Sequence, residues 1–511
     1  MATEALLAKS LMIQGTGSGA GKSLIATAFC RIFRDMGLKV APFKAQNMAL
    51  NSYVTIEGGE IGRAQALQAE AAGVDASVHM NPVLLKASGE MGSQVILQGK
   101  VHATMKARDY YAFRREAWAT VRKSFAALSK KYDILVIEGA GSPAEINLMD
   151  VDIVNMAMAR HAKAPVILVG DIDKGGVFAS LYGTVKLLGR NSRYIKAFVI
   201  NKFRGDVEIL SPGLDMIRQK TGIPVIGVLP FVQDMGLPEE DGMALYQNTK
   251  YTAQSRSAAV RIVVVRLKFI SNFTDFDPFY HEPDVDLLFS ANPTDIENAD
   301  MVIIPGTKNT VKDLMLMKEN GLDASIKNAC MRGAAVMGMC GGYQMLGKKI
   351  YDPEGVESPY REVDGLGLLD IETTFGPGKR TCRVEAVETS AASPQEEAHF
   401  LTGYEIHMGD SHGDIGLFRV RRITSAGKGR ENRYVLDGSR KGNCWGTYLH
   451  GIFDNDSFRR KVIDGLRMDK GMPPSASCSH YAAIKEKAID DLAHMVMTNM
   501  NMTFVKELCA L

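Results

Sequence analysis

The sequence predicts an α/β protein of two domains, each a mostly parallel sheet with flanking helices. Three observations predict it. Short apolar runs such as Tyr132 to Ile137, Pro165 to Gly170 and Met301 to Ile304 alternate with helical patterns, which is how parallel strands joined by crossover helices read. Glycine-rich or charged residues fall where those runs stop, at the edge where open α/β sheets bind their ligands. And 511 residues are too many for one core, so two to four domains are expected.

Composition narrows the class. The chain is 46% hydrophobic and 23% charged with a net charge of +2, an ordinary globular balance without like-charge blocks, so neither nucleic acid nor a membrane surface is an expected partner. Seven scattered cysteines, none in C-x-x-C spacing, argue for reduced thiols and against a zinc site. The first residues lack a charged start followed by an apolar core, and no run approaches a membrane span, so a cytoplasmic location is expected.

The first element, Ser10 to Gln14, reads as a strand running into Gly15-Thr16-Gly17-Ser18-Gly19-Ala20-Gly21-Lys22-Ser23 and then a helix. Strand, glycine-rich loop and helix is the context of a phosphate-binding loop: backbone N–H groups surround phosphate oxygens, Lys22 reaches the β/γ-phosphates and Ser23 sits on Mg²⁺. Threonine occupies position 16, where the standard pattern has its first glycine, and Gly15 lies one residue early. Leu38 to Pro42 is the next candidate strand, and Tyr132 to Ile137 ends in Glu138, a carboxylate placed to partner Mg²⁺. Further strands end in Asp171-Ile172-Asp173 and in Asn201-Lys202, and Pro224 to Leu229 is the last of the first domain. Between them, Gln46, Asn47, Asn51, Arg63 and Lys86 bring amides, a guanidinium and an ammonium, which suit a substrate bearing several carboxylates and amides.

A polar stretch without clear period, 247–259, is the expected linker between a domain at 1–246 and one at 260–511. Val260 to Leu267 and Met301 to Ile304 open the second sheet. The run Ala334 to Met339 ends in Cys340-Gly341-Gly342 and a helical pattern, so Cys340 occupies a tight strand-to-helix elbow where small neighbours leave a nucleophile exposed. A buried structural thiol is the bland reading. His450, at the end of Asn443 to Gly451, is the candidate base, with His407 as its rival. Methionines 495, 497, 500 and 502 near the end read as core filler rather than as a surface for a flat ligand.

Taken together, Gly15 to Ser23, Pro42 to Ser52, Glu60 to Gln65, Asp171 to Phe178, Asn201 to Asp206, Ser271 to Asp277, Pro305 to Thr310, Gly338 to Gln344, Gly403 to Gly409 and Tyr448 to Gly451 closely resemble the glutamine-hydrolysing cobyric acid synthase family over nearly the whole chain. The five-residue gap between Gly15 and Gly21 resembles the dethiobiotin-synthetase type of phosphate loop. The resemblance implies an N-terminal ATP-Mg²⁺ synthetase, with the loop, Asn201 and Lys202 on the nucleotide and Gln46, Asn47, Asn51, Arg63, Lys86, Asp171 and Asp173 toward a corrinoid. It also implies a C-terminal class I-like amidotransferase in which Cys340 attacks glutamine, His450 shuttles protons, and Gly306 and Gly341 border the oxyanion and glutamine. The substrate implied is adenosylcobyrinic acid a,c-diamide, amidated at its b, d, e and g carboxylates through acyl phosphates. The usual amidotransferases carry Glu two residues after the histidine; here that position is Ile452, so another group must orient His450.

Two other functions stay open at this level. One is the synthase forming the a,c-diamide, and the other is a P-loop ATPase switch carrying an inert amidotransferase-like domain. Association into a homo-oligomer is likewise undecided by the sequence.

Overall fold

The structure, a computed structural model, describes residues 8–87, 92–239, 258–389, 400–423 and 434–511. The first seven residues, residues 240–246 at the end of the expected first domain, and the expected linker save Ala258 and Ala259 lie outside the described residues.

The first sheet holds six parallel strands: β1 (Lys9–Gly15), β2 (Val40–Phe43), β3 (Ile134–Glu138), β4 (Val166–Asp171), β5 (Ile195–Phe203) and β6 (Val225–Pro230). Their order is β6-β5-β4-β1-β3-β2. From β1 the chain passes to β2 and back to β3 on one side, then crosses to β4 on the other, so the strand order reverses at β1 and a crevice opens at the carboxyl ends of these strands. Helix α1 (Lys22–Asp35) follows β1 and buries Phe29 and Phe33, stacked at 5.6 Å, against the sheet. The polar stretch of the sequence becomes helix α2 (Arg63–Ala71), a two-stranded ribbon (Ser52–Val54 with Glu60–Gly62) and a small four-stranded sheet containing Gln46–Met48 and Val83–Ala87.

The second sheet has five parallel strands in the order β8-β7-β9-β10-β11, where β7 is Val260–Val265, β8 Val285–Ser290, β9 Met301–Ile304, β10 Ala335–Met339 and β11 Cys444–Thr447, and a sixth, Ser439–Lys441, pairs antiparallel with β11 at the edge. Helix α3 (Gly341–Leu346) follows β10. A mostly antiparallel sheet built on the long strands Ile371–Glu388 and Leu401–Gly413 is inserted before β11, and the sequence reading did not anticipate it. Its strands carry too many half-exposed polar positions for their alternation to stand out.

The end of the chain packs with the beginning. Helix α4 (Tyr481–Thr498), counted with the second domain from sequence, buries Ile489, Leu492 and Val496 in the same core as Leu11, Ile13 and Phe29. Buried Arg31 of α1 pairs with Glu486 at 2.7 Å and Asp490 at 2.9 Å. Met500 bridges to Gly227 of β6 and is buried, which agrees with the core-filler reading, whereas Met497 is exposed and departs from it.

Candidate active site

Two sites form, each at the carboxyl edge of its own parallel sheet. In the first, Gly19 and Gly21 have positive φ of 72° and 97°, and a side chain on Gly21 would overlap the Asn201 amide, so glycine is required there by both backbone and space. Asn201 locks the loop by donating Nδ2–H to Ala20 O at 2.9 Å. Gly15 explains its early position. It is the last residue of β1, and a Cβ there would stand 3.1 Å from both Ala20 Cβ and Lys22 Cγ. Thr16 donates its N–H to Val169 O at 2.9 Å, so it extends the strand and its amide is not available to phosphate. Lys22 Nζ donates to Gly17 O at 2.8 Å and Gly141 O at 3.1 Å.

Ser23 donates its hydroxyl to Glu138 Oε1 at 2.8 Å. Glu138 is fully buried and also accepts from Lys44 at 2.7 Å, Gln68 at 2.6 Å and Gln65 at 3.2 Å. A hydroxyl and a carboxylate converging beside a phosphate loop are hard oxygen donors. Two such groups are the usual protein share of a Mg²⁺ site, whose other positions go to water and phosphate. Among the described residues no group of three His, Cys, Asp or Glu side chains could hold a metal by itself.

A cleft of 1640 Å³ opens over this loop, larger than the roughly 300–1,000 Å³ of most small-molecule sites. Gly19, Gly21, Lys22, Ser23, Gln46, Asn47, Arg63, Glu138, Asp173, Asn201 and Lys202 line it, joined by Leu492 and Met495 from α4. Gly15, Thr16, Gly17, Asn51, Lys86 and Asp171 do not. Lys86, expected toward substrate, is buried at the domain boundary, 2.9 Å from Glu60 and 2.8 Å from Ser52 Oγ, and burial lowers its pKa. Lys379 of the second domain reaches the same Glu60 at 2.5 Å, so that charge cluster joins the domains. Asp171 pairs with Lys202 at 2.9 Å, and Asn51 donates to Glu239 O at 3.4 Å. Asp173 meets Arg204 at 3.1 Å.

In the second domain, Cys340 links β10 to α3 with φ 54° and ψ −110°, a conformation rarely tolerated by a residue with a Cβ and of the strained kind found at nucleophile turns. The glycines around it follow from contact. A Cβ on Gly342 would overlap the Ile304 carbonyl, and one on Gly338 would come 2.5 Å from Gly342 O. Because those neighbours are backbone, Gly342→Ala is expected to destabilise the protein by about 3 kcal/mol, at the upper end of overpacking costs, read as a lowered Tm.

His450 closes on Cys340 from the end of β11. A Cβ on Gly306 would meet His450 Cε1 at 3.2 Å and Cys340 Cβ at 3.7 Å, so Gly306 leaves the space between the imidazole and the thiol open. The orienting group is Asp275, in the segment after β7: its Oδ2 lies 2.6 Å from His450 Nδ1, and its Oδ1 accepts the Gly451 N–H at 3.1 Å. Burial alone would lower the His450 pKa; the Asp275 carboxylate, with the neighbouring Cys340, outweighs it and raises the pKa to about 10. His407 is placed differently. It stacks on Tyr448 with ring centroids 3.7 Å apart, its Nδ1 is 3.0 Å from Gly409 O, and burial pushes its pKa down to about 4. Asp275 escaped the sequence reading because nothing in its spacing to His450, 175 residues away, marks the pair. The one available clue was its place in the Ser271 to Asp277 segment.

A phosphate loop and a cysteine elbow with a carboxylate-oriented histidine, each on its own parallel sheet, define a two-domain enzyme that couples a nucleotide site to a cysteine amidotransferase site. Residues 11–245 match the CobQ/CobB/MinD/ParA nucleotide binding domain, and residues 261–458 match the CobB/CobQ-like glutamine amidotransferase domain. The chain is 50% identical to a cobyric acid synthase of Thermodesulfovibrio yellowstonii, over 99% of this chain and 100% of that one. It is 47% identical to one of Caldanaerobacter subterraneus (97% of each chain) and 46% identical to one of Desulfitobacterium hafniense (99% and 98%). The chain belongs to the cobyric acid synthase family.

Proposed function

We propose that this chain amidates the b, d, e and g carboxylates of adenosylcobyrinic acid a,c-diamide in cobalamin biosynthesis, drawing ammonia from glutamine and driving force from ATP. It is an ATP-dependent, glutamine-hydrolysing amidoligase. The observation that carries the reading is the assembled Cys340, His450 and Asp275 in the same chain as the Lys22, Ser23 and Glu138 loop.

In the amidotransferase site, Cys340 Sγ attacks the side-chain amide carbon of glutamine. Gly341 N–H, the amide after the nucleophile, receives the oxyanion. His450 takes the thiol proton as the sulfur attacks and passes it to the departing ammonia, leaving a glutamyl thioester and a neutral ring. The now neutral ring takes a proton from water, which splits the thioester to glutamate and regenerates the thiol. In the synthetase site, Lys22 neutralises the β/γ-phosphates while a substrate carboxylate takes the γ-phosphoryl group and ADP leaves. Ammonia then attacks the acyl carbon, phosphate departs, and the amide remains. Ser23 and Glu138 would hold Mg²⁺, which supplies further charge neutralisation there. The size of the cleft supports a macrocycle beside a nucleotide, with Gln46, Asn47 and Arg63 toward the substrate's amides and carboxylates.

A cytoplasmic location is supported by the seven free thiols. No described helix is long and apolar enough to cross a membrane. The assembled triad counts against the inert-domain ATPase. Mass spectrometry of the a,c-diamide incubated with protein, MgATP and glutamine tests the proposal: four successive acid-to-amide conversions are expected. No conversion of the a,c-diamide, with two conversions of cobyrinic acid instead, would assign the chain to the earlier synthase. Lys22→Ala is expected to lower amidation about 10²- to 10³-fold with glutamine and with ammonia alike; an effect confined to glutamine would reject the nucleotide role.

A further inference from the structure

One hydrogen-bond chain crosses from the synthetase domain to the catalytic histidine. The Ser52 N–H donates to Asn272 Oδ1 at 3.1 Å, and Asn272 Nδ2 donates to Tyr404 Oη at 3.0 Å. Tyr404 Oη donates to Asp275 Oδ1 at 3.4 Å, and Asp275 Oδ2 holds His450 Nδ1 at 2.6 Å. Ser52, Asn272, Tyr404, Asp275 and His450 are all at most 5% exposed, so water does not compete along it. Tyr404 also stacks on the His450 ring, with centroids 5.2 Å apart and planes 12° apart, and exchanges backbone hydrogen bonds with His450.

The synthetase end of this chain adjoins a segment that lines the cleft. Gln46 to Leu50 line it, Ser52 follows two residues later, and Arg383 of the other domain donates to Val54 O at 3.2 Å further along the same strand. Asn272 has φ 53° and ψ 35°, a left-handed conformation asparagine accepts, which aims its amide at both neighbours. A side chain with one acceptor and one donor, each used on a different domain, is a connector.

We propose that Asn272 is a positioning residue that makes glutamine hydrolysis depend on the synthetase cleft: seating of the 46–54 segment completes the chain that holds Asp275 and Tyr404 on His450. The inference rests on the reading of Cys340 and His450 given above. The coupling lies between ligand sites in different domains, for which factors of about 5 to 150 are usual.

The test is the ratio of glutaminase rates with and without MgATP plus the a,c-diamide, measured on the full chain. We expect at least a fivefold ratio in the unaltered protein. Asn272→Gly, which keeps the left-handed backbone, is expected to bring the ratio below twofold through kcat, with KM for glutamine and ammonia-dependent amidation unchanged. Tyr404→Phe, which keeps the stacked ring and loses the hydroxyl, should reduce the ratio similarly, and the double variant should add nothing further. A ratio near one in the unaltered protein, or an undiminished ratio in Asn272→Gly and Tyr404→Phe, overturns the proposal. Glutaminase activity that survives Cys340→Ala would instead overturn the underlying reading of the site.

Discussion

Cys340→Ala is expected to abolish amidation with glutamine as nitrogen donor and to leave amidation with ammonia within about twofold of normal. The expected loss with glutamine is at least about 10⁴-fold, the scale on which removal of a covalent nucleophile acts when its partners remain. Alanine keeps the Cβ of the elbow and removes only sulfur from a site already buried, so the strand, the turn and α3 stay as they are. The synthetase loop lies on the other sheet, where Lys22 bonds to Gly17 O and Gly141 O and Ser23 bonds to Glu138. Mass-resolved counts of new amides, with glutamine and then with an ammonium salt, check this directly. Loss with both donors would sink the division of labour between domains.

Asp275→Asn carries the second largest effect, a fall of about 10² to 10⁴ in kcat for glutamine hydrolysis, because an amide can present the wrong partner to Nδ1 and lacks the charge. Its pH dependence has a definite sign. With Asp275 in place the His450 pKa is raised to about 10, so the pair stabilises the fold fully below the ring's ordinary value near 6.5 and loses that contribution as pH rises through about 10. Without the carboxylate, burial is the dominant influence and favours the neutral ring. The alkaline limb of kcat/KM for glutaminase should therefore move from near 10 to below about 6.5, and the variant's Tm should show less dependence on pH between those values. An unchanged alkaline limb would remove Asp275 from its role. The two substitutions also separate from each other: Asp275→Asn retains the nucleophile, so slow thioester formation persists where Cys340→Ala shows none.

The parts of the site that are local in sequence were legible. The phosphate loop is one continuous segment whose glycines, lysine and serine are each needed within a few residues, and the elbow at Cys340 is another, held by Gly338 and Gly342 packing against backbone. The strand-end rule also found Glu138 and His450, since a parallel strand delivers its last side chain to the same edge wherever it sits in the chain. Lys86 shows where residue type misleads. An ammonium that looked suited to substrate is instead consumed by Glu60 and Ser52 at the domain boundary, a pairing between strands that spacing does not reveal.

By itself, then, the sequence determined the two mostly parallel sheets, the glycine-rich loop after the first strand and the tight elbow at Cys340, because strand burial, turn geometry and helix starts are set by neighbours along the chain. Only the tertiary structure decided which carboxylate orients His450, why His407 is not so oriented, that α4 completes the core of the first domain, and that Asn272 joins the two sites. Each of those depends on partners brought together from distant parts of the chain, where hydrogen-bond reach of about 3 Å is a property of the folded packing and leaves no periodic trace in the order of residues.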